Sequence, residues 1–454
     1  MKIVRVLHPV VLLAAASCAR PQTASPIPDD PHVSVAIERP RATRGLTVRP
    51  YAGANPNVVY ESFWDATANL DLAAADTLAD DDDQRRFSVA MSAMLNGEFS
   101  RAERMLDSLG RSTKNTFVAT ASRVMLTAAL QYQHKWSALA NLPPDTLGVV
   151  RAPVQKNADV EIWARAFERV PAKRFFIPVR EQTIPLSLSR VGTPVIPVQI
   201  NGKQFFFWLD TGASMSIVSS SVAEASGVNP LGRDTLSIAT AAGQVAAVPA
   251  LISRIELGRV RIDNATAMIV DAAMMQVRDS LGTSDSGKLR IDGIVGWDTI
   301  RELDLTINFA EGTLTVRKPV RRSTTARTRT LFWAGVPIVR LQSGLGRTVH
   351  FALDTGAQET FATQWLLEKA FVPVVTVQRK RIGGMGEGLS VAAQQIPQVA
   401  FDLPGQTLVL KRMLVFAPAF WTFVHIDGVL GSDVARAGIM RIDHTNHLFA
   451  LSRN

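Results

Sequence analysis

Asp210 and Asp354 stand in the same tetrapeptide, Asp-Thr-Gly-Ala, each time at the end of a hydrophobic run. Phe205-Phe206-Phe207-Trp208-Leu209 leads into the first copy, and His350-Phe351-Ala352-Leu353 leads into the second. An Asp at a strand end, with a Gly behind it to permit a tight turn, is a carboxyl group held rigidly at the mouth of a sheet. Two such groups a hydrogen bond apart cannot both ionise, because the first charge disfavours the second. The pair then keeps one proton over a broad pH range. Its ionised member can take a proton from a bound water while its neutral member donates to a carbonyl oxygen, which is the chemistry of amide hydrolysis. Which of the two is ionised is not assigned, since the titration belongs to the pair.

The elements that must position these acids are themselves repeated. Pro194-Val195-Ile196-Pro197-Val198-Gln199-Ile200-Asn201-Gly202 precedes the first copy, and Val336-Pro337-Ile338-Val339-Arg340-Leu341-Gln342-Ser343-Gly344 precedes the second. Each is an alternating strand followed by a turn. Downstream come Ile291-Asp292-Gly293-Ile294-Val295-Gly296 and Ile426-Asp427-Gly428-Val429-Leu430-Gly431, then closing strands at Asp304-Leu305-Thr306-Ile307-Asn308-Phe309 and Met440-Arg441-Ile442-Asp443. A single Asp-Thr-Gly is a weak signal. Two copies in matching strand-turn contexts, each with a matching Asp-Gly-apolar-apolar-Gly, are strong.

On these motifs the chain resembles the aspartic proteases of the retropepsin and pepsin type, with both lobes in one polypeptide. The resemblance covers about residues 175–454. It implies a mainly β fold of two pseudo-symmetric retropepsin-like β-barrel lobes that form a protease cleft, with a pseudo-twofold axis bringing Asp210 and Asp354 together as catalytic residues. It also implies that the Thr211 and Thr355 hydroxyls bond to the opposite loop's backbone. Gly212 and Gly356 would let backbone N–H groups approach the carboxylates. Pepsin-like enzymes usually carry Ser or Thr fourth in the motif, whereas Ala213 and Ala357 stand here, as in the retroviral enzymes. No pepsin-type flap Tyr has a candidate, since the tyrosines are Tyr51, Tyr60 and Tyr132. Asp292 and Asp427 are given structural roles in the strands that back the catalytic loops. The implied activity is an endopeptidase, monomeric because one chain supplies both acids, with a peptide or protein as its substrate. A protein of the same shape that holds a peptide or partner without cutting it is the alternative.

A Ser in place of Ala213 or Ala357 could donate to the ionised carboxylate and lower its pKa. Its absence predicts an optimum moved from strongly acidic towards mildly acidic or neutral pH. Flap hairpins that close on a peptide are expected around Ala241, Ala242 and Gly243 in the first lobe, and around Gly383, Gly384, Met385 and Gly386 in the second. The seven histidines show no ligand spacing, so no metal and no cofactor are expected, with His444 and His447 the nearest to a candidate pair.

Composition adds bounds. The chain has 454 residues, 47% of them apolar, enough for several cores. A net charge of +9 could suggest a polyanion partner. Much of the basic charge, however, lies in Arg317-Lys318-Pro319-Val320-Arg321-Arg322 and in Arg327 and Arg329 between the lobes, with no aromatic interleaving. That reads as a solvated linker, and no nucleic-acid partner is expected. Lys2 and Arg5 followed by an apolar stretch too short to span a bilayer read as an export signal. Cys18, the single cysteine, follows Ala15-Ala16-Ser17, where a bacterial lipoprotein signal places the thiol that takes a lipid. The expected location is therefore the periplasm or the outer membrane, with no internal disulfide.

The organisation reads as a signal peptide over 1–17, a flexible tether over 18–59 and a helical region over 60–170. A first lobe follows over 173–318, then a basic linker over 319–330 and a second lobe over 331–454. In the helical region Asp80-Asp81-Asp82-Asp83 precedes the apolar face of Phe87, Ala90, Met91 and Met94. Gly97-Glu98-Phe99-Ser100-Arg101-Ala102 breaks one helix and opens another, with Ser100 expected as its cap. The Gly, aromatic and Ala spacing resembles the tetratricopeptide repeat, although one hairpin carries it well and a solenoid needs about three. The region reads either as a docking platform for a partner or as a scaffold that spaces the β region from a membrane.

Overall fold

The computed structural model describes residues 12–13, 34–38, 58–142, 154–189, 192–240, 243–278, 288–322, 329–370, 372–382, 389–416, 424–436 and 438–453. Helices lead the chain from Phe63 to Phe167, and strands dominate from Arg174 onward. The helix Asp82–Leu95 begins on Asp81, whose carboxylate accepts the Gln84 N–H at 2.7 Å. Asp82 and Asp83 fill its first turn, where the helix dipole favours negative charge. Phe87, Ala90, Met91 and Met94 are all fully buried. Gly97, at φ +75°, makes the left-handed turn into the helix Phe99–Ser112. Ser100 is not the cap of that helix. Glu98 is the boundary residue, and the Ser100 hydroxyl instead donates to Gln133 Oε1 at 3.0 Å across to the helix Thr116–Tyr132.

The stretch from Arg174 to Pro185 divides between two sheets. Arg174–Phe176 pairs with Val260–Val270, where the Arg261 guanidinium lies 4.1 Å from the Phe176 ring centre. Gln182–Pro185 pairs with Thr313–Arg317 instead, and Gln182 Nε2 donates to the Leu257 carbonyl at 2.8 Å. Each half is drawn to the partner that satisfies its own side chains.

Two large sheets repeat one plan. In the first, Pro194–Ile200, Lys203–Leu209, Gly293–Val295, Ile217–Ser219, Val260–Val270, Gly243–Leu257 and Leu236–Thr240 follow one another as neighbours. In the second the corresponding order is Pro337–Ser343, Thr348–Leu353, Gly428–Leu430, Phe361–Thr363, Gln406–Phe416, Leu389–Leu403 and Val375–Ile382. Each sheet curls on itself through one further pairing, Ile255 with Ile200 and Gln342 with Asp402. Ser34–Glu38, within the expected tether, is a strand antiparallel to Thr407–Lys411.

A third sheet, of five strands, joins the halves. Asp304–Asn308 pairs with Gly438–Asp443 so that Asp304 faces Asp443, Thr306 faces Arg441 and Asn308 faces Ile439. A strand is thus paired with its own repeat about a centre at Thr306 and Arg441, where the pseudo-twofold axis passes. The flanking strands Thr313–Arg317 and Leu448–Arg453 complete the symmetry.

The helical region is docked on this assembly rather than held apart from it. The Tyr132 hydroxyl lies 3.1 Å from His444 Nδ1, and its ring packs on Trp333 and stacks with Phe99. The Arg301 guanidinium lies over the Tyr132 ring at 3.8 Å. Arg329 Nη1 donates to Asn96 Oδ1 at 3.0 Å, and the His425 N–H donates to the Ala68 carbonyl at 2.7 Å. One buried apolar cluster runs through the helices and both large sheets.

Candidate active site

Asp210 follows the last residue of Lys203–Leu209, and Gly293–Val295 runs parallel beside that strand. The Val295 carbonyl accepts the Asp210 N–H at 3.1 Å, and the Leu430 carbonyl accepts the Asp354 N–H at 3.0 Å. Phe207 faces Gly293 as Phe351 faces Gly428. A Cβ on Gly293 would lie 2.4 Å from the Phe207 ring, and one on Gly428 would lie 2.3 Å from the Phe351 ring. Glycine is needed at both places because a buried aromatic occupies the space.

The two turns then interlock. Thr211 Oγ1 donates to the Leu353 carbonyl at 2.8 Å and accepts the Thr355 N–H at 2.9 Å. Thr355 Oγ1 donates to the Leu209 carbonyl at 2.6 Å and accepts the Thr211 N–H at 3.1 Å. Gly212 and Gly356 face the opposite acids. A Cβ on Gly212 would sit 2.6 Å from Asp354 Cγ, and one on Gly356 would sit 2.5 Å from Asp210 Oδ2. The arrangement therefore brings Asp210 and Asp354 into one site, both buried, with neither turn able to carry a larger residue at its Gly.

Asp210 Oδ1 accepts the N–H groups of Gly212 at 2.8 Å and Ala213 at 3.1 Å. Asp354 Oδ1 accepts those of Gly356 at 2.9 Å and Ala357 at 3.0 Å. Burial is the largest influence on both acids and outweighs these bonds. It pushes Asp210 up to about 7 and Asp354 well above the usual carboxylate range, the charge of Asp210 adding to the rise of Asp354. Asp210 Oδ2 is buried between Gly356 and Asp354, the position in which a proton shared by the two acids would be held.

Asp292 and Asp427 are bonded to groups outside this pair. Asp292 Oδ2 accepts the Phe206 N–H at 3.2 Å, and Asp427 Oδ2 accepts the His350 N–H at 2.7 Å. Each ties the start of its backing strand to the strand that leads to the acidic turn. Asp427 also pairs with the buried Lys369 ammonium at 2.8 Å.

A second matched set lies directly under the turns. Ser216 Oγ donates to Asp298 Oδ1 at 3.0 Å and accepts the Gly296 N–H at 3.2 Å. Thr360 Oγ1 donates to Asp433 Oδ1 at 2.7 Å and accepts the Gly431 N–H at 3.0 Å. Burial raises Asp433 to about 6. Sequence reasoning passed over this set. Its signal was a hydroxyl six residues after each Asp-Thr-Gly aspartate and an Asp two residues after each second Gly, visible once the repeat is extended.

His444 and His447 are buried in packing roles. Trp297 meets the His444 ring edge-on, and His447 Nδ1 lies 3.1 Å from the Leu331 carbonyl. Among the described residues no group of three or more His, Cys, Asp and Glu is placed to hold a metal ion. Hairpins stand where flaps were expected. Leu236–Thr240 pairs with Gly243–Leu257, and Val375–Ile382 with Leu389–Leu403. Gly243 opens its strand opposite Thr240, while Ala241, Ala242, Gly383, Gly384, Met385 and Gly386 lie outside the described residues. Cys18 and the linker residues 323–328 also lie outside them.

Residues 196–285 match the sequence model of a family described as "gag-polyprotein putative aspartyl protease". No curated protein matches the chain. Among solved structures the chain is similar to an aspartic proteinase from Irpex lacteus, at 13% identity over 61% of this chain and 98% of that one, with a TM-score of 0.38. It is also similar to a retropepsin-like aspartic protease from Rickettsia conorii, at 17% identity over 32% of this chain and 92% of that one, with a TM-score of 0.21.

Proposed function

We propose that this chain, a bilobal protein of the aspartic protease superfamily, is an endopeptidase that splits peptide bonds with a water activated between Asp210 and Asp354. The observation that carries the reading is the mutual approach of each turn's glycine to the other turn's carboxyl group. One ionised carboxylate takes a proton from the water as it attacks, and the neutral carboxyl donates to the carbonyl oxygen. The C–N bond then breaks as the proton taken from the water passes to the departing amine and a hydroxyl of the tetrahedral intermediate returns its proton to the pair, which is left with the single proton it began with. The interlocked Thr211 and Thr355 hold the carboxyls in register through the reaction. Both acids are buried, so a peptide must displace what covers them before it can react.

Ala213 and Ala357 offer no hydroxyl to the acids, and burial raises both. The singly protonated pair therefore persists to neutral pH. Activity on an unfolded protein is expected to peak between mildly acidic and neutral pH. A peak near about pH 2 with none at about pH 6 would contradict this, since it requires a carboxylate held below its ordinary range.

Export through residues 1–17, lipid attachment at Cys18 and action as a monomer complete the reading. The first test is digestion of unfolded casein by the purified protein beside Asp210→Asn, with products mapped by mass spectrometry. Cleavage by the wild type alone is expected. Equal cleavage by both would remove the pair from the account, and none by either would favour a peptide-binding protein.

A further inference from the structure

Lys173 precedes the first strand of the β region and is buried against Asp298, with 6% and 2% of the two side chains exposed. Its ammonium donates to Asp298 Oδ2 at 2.6 Å, to the Asp298 carbonyl at 3.1 Å and to Thr299 Oγ1 at 3.1 Å. Asp298 in turn accepts from Ser216, which accepts from Gly296. The neighbouring Trp297 N–H donates to the Ala213 carbonyl at 2.7 Å, and the Ala213 N–H donates to Asp210 Oδ1. Hydrogen bonds, linked through the adjoining backbone of residues 296–298 and of Ala213, thus join Lys173 to the first acid. The matching carboxylate of the second lobe, Asp433, is held by Thr360 and has the Arg436 charge nearby, with no ammonium on it among the described residues.

We propose that Lys173, which opens the first lobe just after the helix Val154–Phe167, is a positioning residue for the first acidic turn. This rests on the endopeptidase reading above. The relay works because the lysine neutralises Asp298 and lets that carboxylate bind Ser216 without an uncompensated buried charge. The other charged groups facing this pair are Arg301 and Glu302 on the same turn and His134 from the helical region, which burial and the charges of Arg301 and Lys173 keep neutral. None of these replaces the ammonium, since Arg301 is turned to Glu302 and the Tyr132 ring.

In Lys173→Met, Asp298 loses its counter-charge and takes a proton wherever pH allows. The neutral acid still accepts from Ser216, so the turn is kept at low pH. As pH rises and Asp298 ionises with no ammonium beside it, the bare buried charge pulls the turn apart. The ratio of variant to wild-type kcat on casein peptides should therefore be near one at about pH 5 and fall by about tenfold or more at about pH 7.5, with KM little changed. Lys173→Met/Asp298→Asn, which carries neither charge, should recover the neutral-pH rate and serves if the single variant does not fold. A flat ratio across pH in Lys173→Met, or a double variant that folds without regaining neutral-pH activity, would overturn the proposal. Wild-type cleavage that survives Asp210→Asn would instead sink the endopeptidase reading, so the two failures are distinguishable.

Discussion

The two lobes share one order of paired strands, yet they neutralise different members of the same carboxylate set. In the second lobe the buried lysine, Lys369, lies on Asp427 and comes from the lobe's own helix Gln364–Ala370. In the first lobe Asp292 is half-buried and meets a backbone N–H, while the buried lysine sits on Asp298 and comes from the lobe's first residue, where the chain enters from the helices. The second lobe is self-contained in this respect. The first is completed by the chain that leads in from the helices, which also lends it the edge strand Arg174–Phe176. Duplication therefore preserved the geometry of the acidic turns and left each half to settle its buried charges separately.

The largest expected effect treats the lobes as equal. Asp210→Asn and Asp354→Asn should each lower kcat by about a thousandfold or more, and the double variant should be no worse than either, because the acids act as one unit. Losses that differ widely between the two, or that multiply, would mean the acids work independently. Next come the lysines. Lys369→Met and Lys173→Met should each cost about 3–5 kcal/mol of stability at neutral pH, the penalty for stranding a buried carboxylate. Chemical denaturation checks this, and a loss confined to one lobe would show that the other lysine is ornamental.

The backing glycines should behave alike. Gly293→Ala and Gly428→Ala drive a methyl into Phe207 and Phe351 and should destabilise by about 1–3 kcal/mol or more. Pairing each with a Phe→Leu change at the facing ring should restore part of that loss. Unchanged melting temperatures in both would contradict the packing described. The smallest effect separates the lobes again. Asp433 is raised to about 6 by burial, so it keeps its proton in the fold above the pH at which the unfolded chain has released it. That makes stability fall as pH rises from the ordinary carboxylate range to about 6. Asp433→Asn should flatten this decline in thermal melts, and an unaltered slope would assign the decline to other groups.

Much of this was legible in the sequence because the signal was doubled. The strands, the acidic turns and the Asp-Gly supports each appear twice, so comparison of the chain with itself exposed them. Ser216 with Asp298 and Thr360 with Asp433 were equally doubled and could have been read the same way. Lys173 and Lys369 could not, since each occurs in one lobe and its importance comes from burial against an acid distant in sequence. Ser100 was misread as a cap because a hydroxyl near a helix start is a frequent cap, and here a partner on the next helix held it instead. The docking of Tyr132 onto His444 was likewise invisible, as single aromatics and histidines carry no spacing that announces a contact.

The central claim is that two carboxyl groups converge on one water and one carbonyl. Its most direct measurement is a crystal structure with a peptide whose scissile amide is replaced by a secondary alcohol, a tetrahedral mimic of the attacked carbonyl. The account predicts the alcohol oxygen within hydrogen-bond distance of both Asp210 and Asp354, with affinity for the mimic reduced by Asp210→Asn. A mimic that binds away from these two side chains, or that binds Asp210→Asn as tightly as the wild type, would contradict it.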